Sequence, residues 1–228
     1  MKNYQINDFF LENKLNIFEI FYSIQGEGTR AGLPCIFIRL SGCNLRCKWC
    51  DTIYAQSEYN GNYITFKDII NKVKTFNCNF IEFTGGEPLL QENIIPLIDF
   101  FIKEKYTVAI ETNGSFMINK LCKDVIKIVD IKCPDSGMSA NNLFENFNYI
   151  TKNDEIKFVI ASKKDFEWSN QVIEKFNLLD KTNNILFSPV EDCFHIQELA
   201  ELILNTNSKY RLQIQMHKII WDKNKRGV

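Results

Sequence analysis

Three cysteines, Cys43, Cys47 and Cys50, stand in the stretch SGCNLRCKWCDT with the spacing C-x3-C-x2-C. Sulfurs this close in sequence can face a common centre, and three thiolates are one ligand short of a tetrahedral metal site. A structural zinc ion is closed by four ligands, usually two pairs of Cys or His. No second pair follows: Cys35, Cys78, Cys122, Cys133 and Cys193 stand alone, and the two histidines, His195 and His217, are isolated. One reading is a zinc site completed by a distant residue. The other is an iron–sulfur cubane, in which each thiolate binds its own iron and three thiolates leave the fourth iron open to a small-molecule ligand. On that reading the missing ligand is the binding site itself.

The elements that must hold this loop follow an alternation of short β-branched or aromatic runs with longer stretches of helical period, the pattern of βα units around a parallel sheet. Strands are predicted over 35–40, 80–84, 107–112, 127–132, 156–160, 185–188 and 211–215, with 17–24 as an added edge strand. Thr65, with Asp68 three residues on, opens a helix through FKDIINKVKTF as a capping box. Ser162 and Asp165 precede FEWSNQVIEKF, Pro96 belongs to the first turn of its helix or kinks it, and residues 196, 199, 202 and 203 share one helical face. The expected fold is α/β, a partial, open (β/α) barrel with a parallel sheet of about six strands. No repeat, linker or composition shift divides the chain, so 1–228 reads as one domain, with an arm over 1–34 and an extension over 216–228. In such a barrel the chemistry gathers at the C-terminal strand ends. There lie the cysteine loop, TGGEP (84–88), ETNG (111–114), DIKCP (130–134) and SPV (188–190), so that distant motifs would line one mouth.

At 228 residues the chain can bury roughly 70% of its unfolded surface in one core. Its 27 basic and 28 acidic residues nearly cancel, which argues against nucleic-acid binding by counterion release. The basic run HKIIWDKNKRGV reads as a solvated end. No run approaches the roughly 18 consecutive apolar residues of a membrane helix. Asn, Asp and Glu interrupt MKNYQINDFFLENKLNIFEI, which leaves no apolar block for a signal peptide. The expectation is a soluble, cytoplasmic protein with no membrane partner. Thiols there stay reduced, so the eight cysteines are ligands or buried thiols, and the five solitary ones read as small buried apolar residues.

C-x3-C-x2-C with Trp49 just before the last cysteine resembles the signature of the radical S-adenosylmethionine (SAM) enzymes, and TGGEP at the next strand end is similar to their second motif. Gly85 and Gly86 would let backbone approach a ligand, and Pro88 would start a helix. The resemblance implies that the open iron chelates the methionine part of SAM. Reductive cleavage then gives a 5′-deoxyadenosyl radical that abstracts hydrogen, while the protein aligns the partners and excludes water. FYSIQGEGTRAGLPCIFIRLSGCNLRCKWCDTIYA (21–55), FTGGEPLLQ, ETNGS, DIKCPDSGM and NKRGV resemble the 7-carboxy-7-deazaguanine synthase family over nearly the whole chain. That likeness implies a carbon–nitrogen lyase of queuosine and 7-deazapurine biosynthesis. It would convert 6-carboxy-5,6,7,8-tetrahydropterin to 7-carboxy-7-deazaguanine by ring contraction with loss of ammonia. It further implies a barrel with fewer helices than strands, a homodimer, and a reductant such as flavodoxin or ferredoxin.

Motif by motif, Cys43, Cys47 and Cys50 resemble the [4Fe-4S] ligands, and Trp49, Cys50 and Asp51 the loop flanking SAM. Thr52 matches a hydroxyl that binds Mg²⁺, a hard cation that suits one protein oxygen plus substrate. Ile24, Gln25, Gly26 and Glu27 resemble the pterin-recognition turn, and Arg39 and Thr84 substrate contacts. Gly86, Asp130, Ile131, Lys132, Ser188, Pro189, Val190 and Glu191 resemble SAM contacts. Plainer readings stand beside these. QGEG could be only a turn, Thr52 a helix cap, and Arg39 the partner of a structural carboxylate. Glu87 and Glu111 could tie loops together, and His217, placed at the last strand, reads as structural. Some relatives have Ser-Pro-Lys where this chain has DIK, so Lys132 transfers better than Asp130 or Ile131; to the extension 223–228 the sequence assigns no particular contact. Two rivals remain: a small enzyme that installs a glycyl radical, which would lack SIQGEG and the Thr after CD, and a zinc-stabilised binding module with no sulfide.

Overall fold

The structure, a computed structural model, describes residues 7–206, 208–222 and 225–227. Residues 1–6 of the expected arm and 223, 224 and 228 of the expected extension lie outside these. Nine strands follow in chain order: β1 (Lys14–Ile24), β2 (Pro34–Leu40), β3 (Asn62–Thr65), β4 (Phe80–Gly85), β5 (Thr107–Thr112), β6 (Ile126–Ile131), β7 (Glu155–Ile160), β8 (Ile185–Pro189) and β9 (Arg211–Leu212). They form one open sheet in the order β3-β1-β2-β4-β5-β6-β7-β8-β9. From β2 to β9 every pairing is parallel. The pairs β1–β2 and β1–β3 are antiparallel.

Two expectations need correction at the edges. The run over 17–24 belongs to a longer strand that is not an edge, because Asn62–Thr65, unpredicted, pairs outside it. That segment is too short and too exposed to alternate visibly. The run over 211–215 pairs only at Arg211 and Leu212; Gln213 still donates its N–H to Phe187 O at 2.8 Å, and the chain then leaves the sheet. His217 therefore opens a short helix instead of lying on a strand.

The helices are α1 (Asp8–Leu11), α2 (Phe66–Lys74), α3 (Ile94–Lys103), α4 (Lys163–Lys175), α5 (Leu178–Lys181), α6 (Ile196–Asn205) and α7 (His217–Ile220). Thr65 caps α2 by accepting the Asp68 N–H, and Ser162 caps α4 by accepting the Asp165 N–H. Pro96 falls in the first turn of α3, where its missing donor costs nothing. On α6, Leu199 and Ile203 are buried, whereas Ile196, at the helix start, is exposed. No helix follows β5 or β6; the β6–β7 connection is three 3-10 segments, Pro134–Ser136, Ser139–Asn141 and Phe144–Tyr149. The barrel is thus left partly uncovered. Pro88 likewise opens a 3-10 turn, Pro88–Leu90, before α3.

Strand side chains alternate between the two faces of the sheet. One face, with Ile36, Ile38, Ile81, Phe83, Val108, Ile110, Val129, Ile156 and Phe158, packs under the helices as the main core. The other carries a small apolar cluster of Cys35, Phe37, Phe80, Ala109, Ile126 and Ile128. By the same alternation that inner face also presents Arg39, Glu82, Thr84, Glu111, Asp130, Glu155 and Lys157. Charges inside an otherwise apolar barrel are tolerated only when paired, and their pairing defines the site.

Candidate active site

The cysteine loop leaves the C-terminal end of β2 and is held by backbone from neighbouring strand ends. Gly42 and Cys43 donate to Ala55 O (2.8 Å) and Gln56 O (2.9 Å), and Lys48 donates to Ser136 O at 3.2 Å beyond β6. The TGGEP turn locks against it: Gly86 N–H donates to Leu40 O at 3.2 Å and Glu87 N–H to Gly42 O at 2.8 Å. A Cβ on Gly86 would overlap the Gly42 carbonyl and lie 2.9 Å from Cys43 Cβ, and Gly85 at φ +133° would meet Leu40 backbone. The glycines are therefore required by backbone packing against the cysteine loop itself, a closer constraint than the expected approach to a ligand.

The buried Glu87 joins three segments. Its carboxylate accepts from Leu89 N (2.9 Å), Thr112 Oγ1 (2.8 Å) and Asn113 N (2.7 Å). Burial pushes its carboxyl up to about 7, against the lowering effect of these donors. The loop-tying reading of Glu87 thus holds. ETNG, TGGEP and the cysteines do meet at one mouth.

Cys43, Cys47 and Cys50 are all half-buried, and burial raises the thiols of Cys43 and Cys47. Among the described residues no three His, Cys, Asp or Glu side chains converge on one ion position. Three free, half-buried thiols on one loop match the donor set of a cluster that takes one thiolate per iron. Next to them Lys132 Nζ pairs with Asp130 Oδ2 at 2.7 Å; burial would lower this ammonium, but Asp130 and Cys47 outweigh it and raise it. Asp130 Oδ1 is buried and accepts from no donor among the described residues, an acceptor left open for a donor of a bound group. Ile131 is buried in the outer core, so only its backbone can face the mouth. At the end of β8, Ser188 and Val190 are buried, and Glu191 pairs with Lys218 at 3.3 Å. Trp49 is half-buried on the loop.

The QGEG turn enters from the opposite end. Ile24 pairs with Pro34 at the start of β2, and the turn folds up into the barrel. Gln25 Nε2 donates to Glu82 Oε2. Glu27 accepts from Lys157 Nζ (2.9 Å), Gln213 Nε2 (2.7 Å) and Gln215 Nε2 (2.8 Å). Gly28, at φ +72°, donates its N–H to Gln213 Oε1 at 2.8 Å. Thr29 and Arg30 bind Glu155, the Arg30 pair at 2.9 Å. Lys157 is the hub, bonded to Glu27 and Glu111 and 4.0 Å from Asp130. Burial would lower its ammonium, but these carboxylates hold it well above the ordinary lysine value. Burial would raise Glu27, yet Lys157 holds it low. Glu82, raised first by burial and then by Glu111, Glu27 and Glu155, is driven well up.

Thr52 occupies the position before a 3-10 turn, Ile53–Ala55, but its side chain caps nothing; its Oγ1 donates to Asp51 Oδ1 at 2.8 Å. Gln215 Nε2 reaches Asp51 Oδ2 at 3.3 Å, which links this corner to Glu27. Arg39 has the carboxylate its plainer reading required, Glu19 at 2.8 Å, and lies 5.6 Å and 5.8 Å from the Phe21 and Tyr54 ring centres. Thr84 Oγ1 donates to Glu111 Oε2 at 3.3 Å. His217 packs on Gly26, where a Cβ would sit 2.9 Å from His217 Nδ1. Arg226 stacks 4.6 Å above Tyr54, the ring that Arg39 also faces, which gives the extension a contact that the sequence could not assign. Of the solitary cysteines, Cys35 and Cys133 are buried as expected, Cys78 and Cys122 partly so, and Cys193 is exposed on the loop after β8.

Several lumen residues escaped the reading of the sequence: Glu82, Glu155, Lys157, Gln213 and Gln215. Their signal was present as charges and amides at alternate positions of FIEFT, EIKFVI and RLQIQ, where an apolar strand would have none.

The radical SAM superfamily model matches residues 37–136, from β2 through the 3-10 turn after β6. The 7-carboxy-7-deazaguanine synthase of Koribacter versatilis is 38% identical over 94% of this chain and 100% of its own length. That of Clostridium acetobutylicum is 39% identical over 93% of this chain and 98% of its own. A crystal structure of QueE from Escherichia coli superimposes with a TM-score of 0.75 at 21% identity, covering 92% of this chain and 99% of that one, which supports the fold. With the cysteine loop, the glycine lock and the occupied lumen in place, the chain belongs to the 7-carboxy-7-deazaguanine synthase family of radical SAM enzymes.

Proposed function

We propose that the chain converts 6-carboxy-5,6,7,8-tetrahydropterin to 7-carboxy-7-deazaguanine with loss of ammonia. The observation that carries this is the junction of two devices in one barrel: the three-cysteine loop locked on TGGEP at one end, and the QGEG turn held at the other by Lys157, Gln213 and Gln215. Cys43, Cys47 and Cys50 would hold the [4Fe-4S] cluster. Gly86, Asp130, Lys132, the backbone of Ile131, and Ser188, Pro189, Val190 and Glu191 would hold SAM beside Trp49 and Asp51. When bound, cluster and SAM supply hydrogen-atom abstraction from the substrate.

The residues of the chain do the binding and the electrostatics. Ile24, Gln25, Gly26 and Glu27 present backbone and side-chain groups to a pterin edge. Arg39 and Thr84 flank it, and the Thr52 hydroxyl offers an oxygen for Mg²⁺ beside the substrate carboxylate. Lys157 Nζ keeps its proton among carboxylates. The β1–β2 turn and the residues after β9 bond to one another and close one end of the lumen, which limits the access of bulk water from that side. Family likeness also supports a homodimer working in the cytoplasm with a flavodoxin- or ferredoxin-type reductant; among the described residues no helix is long and apolar enough to cross a membrane. Incubating iron-replete, anaerobically prepared protein with the carboxytetrahydropterin, SAM, Mg²⁺ and a reductant should yield the deazaguanine. Preparation with full iron and sulfide but no such product would refute the substrate assignment.

A further inference from the structure

We propose that Asn113 tunes the reduction potential of the cluster by donating a hydrogen bond from its side-chain amide to the Cys43 sulfur. The inference rests on the reading above, in which Cys43 is a cluster ligand. Asn113 is buried in the loop after β5, and its neighbours settle which way its amide points. Its Oδ1 accepts the Ser115 N–H at 3.0 Å and the Ser115 hydroxyl at 2.6 Å. The amino group must therefore occupy the other side, where Nδ2 lies 3.1 Å from Asn44 Oδ1 and 3.8 Å from Cys43 Sγ. Asn44 Nδ2 in turn donates to Ser115 Oγ at 2.9 Å, which closes a ring that a flipped amide would break at two points.

The backbone adds a second anchor. Asn113 N–H donates to Glu87 Oε2 at 2.7 Å, and Glu87 N–H donates to Gly42 O at 2.8 Å, the residue before Cys43. The donor and the sulfur it addresses are thus tied to the same carboxylate-bearing turn. The Leu45 N–H also reaches Cys43 Sγ, at 3.4 Å, while among the described residues no hydrogen-bond donor reaches the sulfur of Cys47 or Cys50. A ligand sulfur carries more negative charge when its cluster is reduced. A fixed donor in a poorly solvated site therefore stabilises the reduced form more than the oxidised one and raises the potential. Asn113 is in this sense a positioning residue, acting through Cys43.

The test is an anaerobic redox titration of the reconstituted full chain, followed by the electron paramagnetic resonance signal of the reduced cluster. Asn113→Ala should lower the reduced-to-oxidised ratio at a given solution potential about tenfold, a midpoint about 59 mV more negative. Asn113→Asp, which keeps the Ser115 contacts but turns a donor into an acceptor, should move it further the same way. Ser115→Ala, which removes the hydroxyl contacts to Asn113 Oδ1 and Asn44 Nδ2 and so loosens the ring while the backbone N–H stays, should give a smaller shift of the same sign. Iron and sulfide content stay at wild-type values in each case. Reduced-to-oxidised ratios within twofold of wild type at the same solution potential in the Asn113 variants, at full iron content, overturn the proposal. If those variants do not retain iron, an unchanged midpoint in Ser115→Ala overturns it instead. A wild-type chain that holds neither iron nor sulfide overturns the cluster reading as well, and composition alone tells that failure from the others.

Discussion

Replacing Lys157 with methionine should expose how much of the fold hangs on one buried cation. The Lys157 side chain is 7% exposed, and its ammonium holds Glu27 and Glu111, with Asp130 at 4.0 Å. Removing one partner of a buried ion pair costs about 3–5 kcal/mol, because the other charge stays buried without compensation. Here Glu27 and Glu111 keep 20% and 27% of their side-chain exposure, so water stabilises part of the orphaned charge. We therefore expect the lower end, about 3 kcal/mol. The sign with pH follows from the shifts. Lys157 is raised, so its contribution is present below the ordinary value of 10.5 and is lost only as pH rises through its higher folded value. Glu27 is lowered, so its contribution is present above 4.5 and is lost as pH falls through its lower folded value. The pair is intact in the wild type from about pH 5 to 10. In the variant the uncompensated carboxylates take up protons more readily, so the deficit should shrink between pH 8 and pH 5. Urea denaturation of wild type and Lys157→Met at those two values, followed by circular dichroism, measures it. A loss below about 1 kcal/mol, or an equal loss at both values, would refute the reasoning. Combining Lys157→Met with Glu111→Gln should recover part of the loss by removing one orphaned charge.

Two further outcomes are expected. Gly86→Ala drives a Cβ into the Gly42 carbonyl and against Cys43, so it should cost about 1–3 kcal/mol by overpacking and displace the cysteine loop; iron per chain after reconstitution should fall, and unchanged iron with an unchanged denaturation midpoint would count against the lock. Glu87, pushed by burial from 4.5 up to about 7, binds its proton better folded than unfolded. Its contribution is full below 4.5 and should fall by roughly 3 kcal/mol as pH rises through 7. Glu87→Gln cannot ionise and should lose that slope, which denaturation at pH 5 and pH 8 would reveal as a pH-dependent difference from the wild type.

Features set by local spacing were legible without coordinates. The cysteine loop spans eight residues and needs no tertiary contact to be recognised, and Thr65 and Ser162 cap their helices as their offsets predict. Strand runs with β-branched and aromatic residues were visible for the same reason: each must cover the core over its own length. The short edge strand over 62–65 was not, because an exposed edge bears no burial pattern. At the other edge, Gln213 and Gln215 looked like strand residues, yet their amides turn to Glu27, 186 and 188 positions away in sequence.

What the residues determined by themselves, then, is a metal-binding loop with three thiols, an α/β alternation, and a family signature. Which charges meet inside the barrel was decided only by the fold: Lys157 faces Glu27 and Glu111 because the sheet's curvature and the inward β1–β2 turn carry them there. Sequence separation does not encode that meeting. It arises because a buried ion is stable only where segments distant in sequence deliver its counter-ions, and the parallel pairing of β5, β6 and β7 together with the inward turn brings those segments side by side.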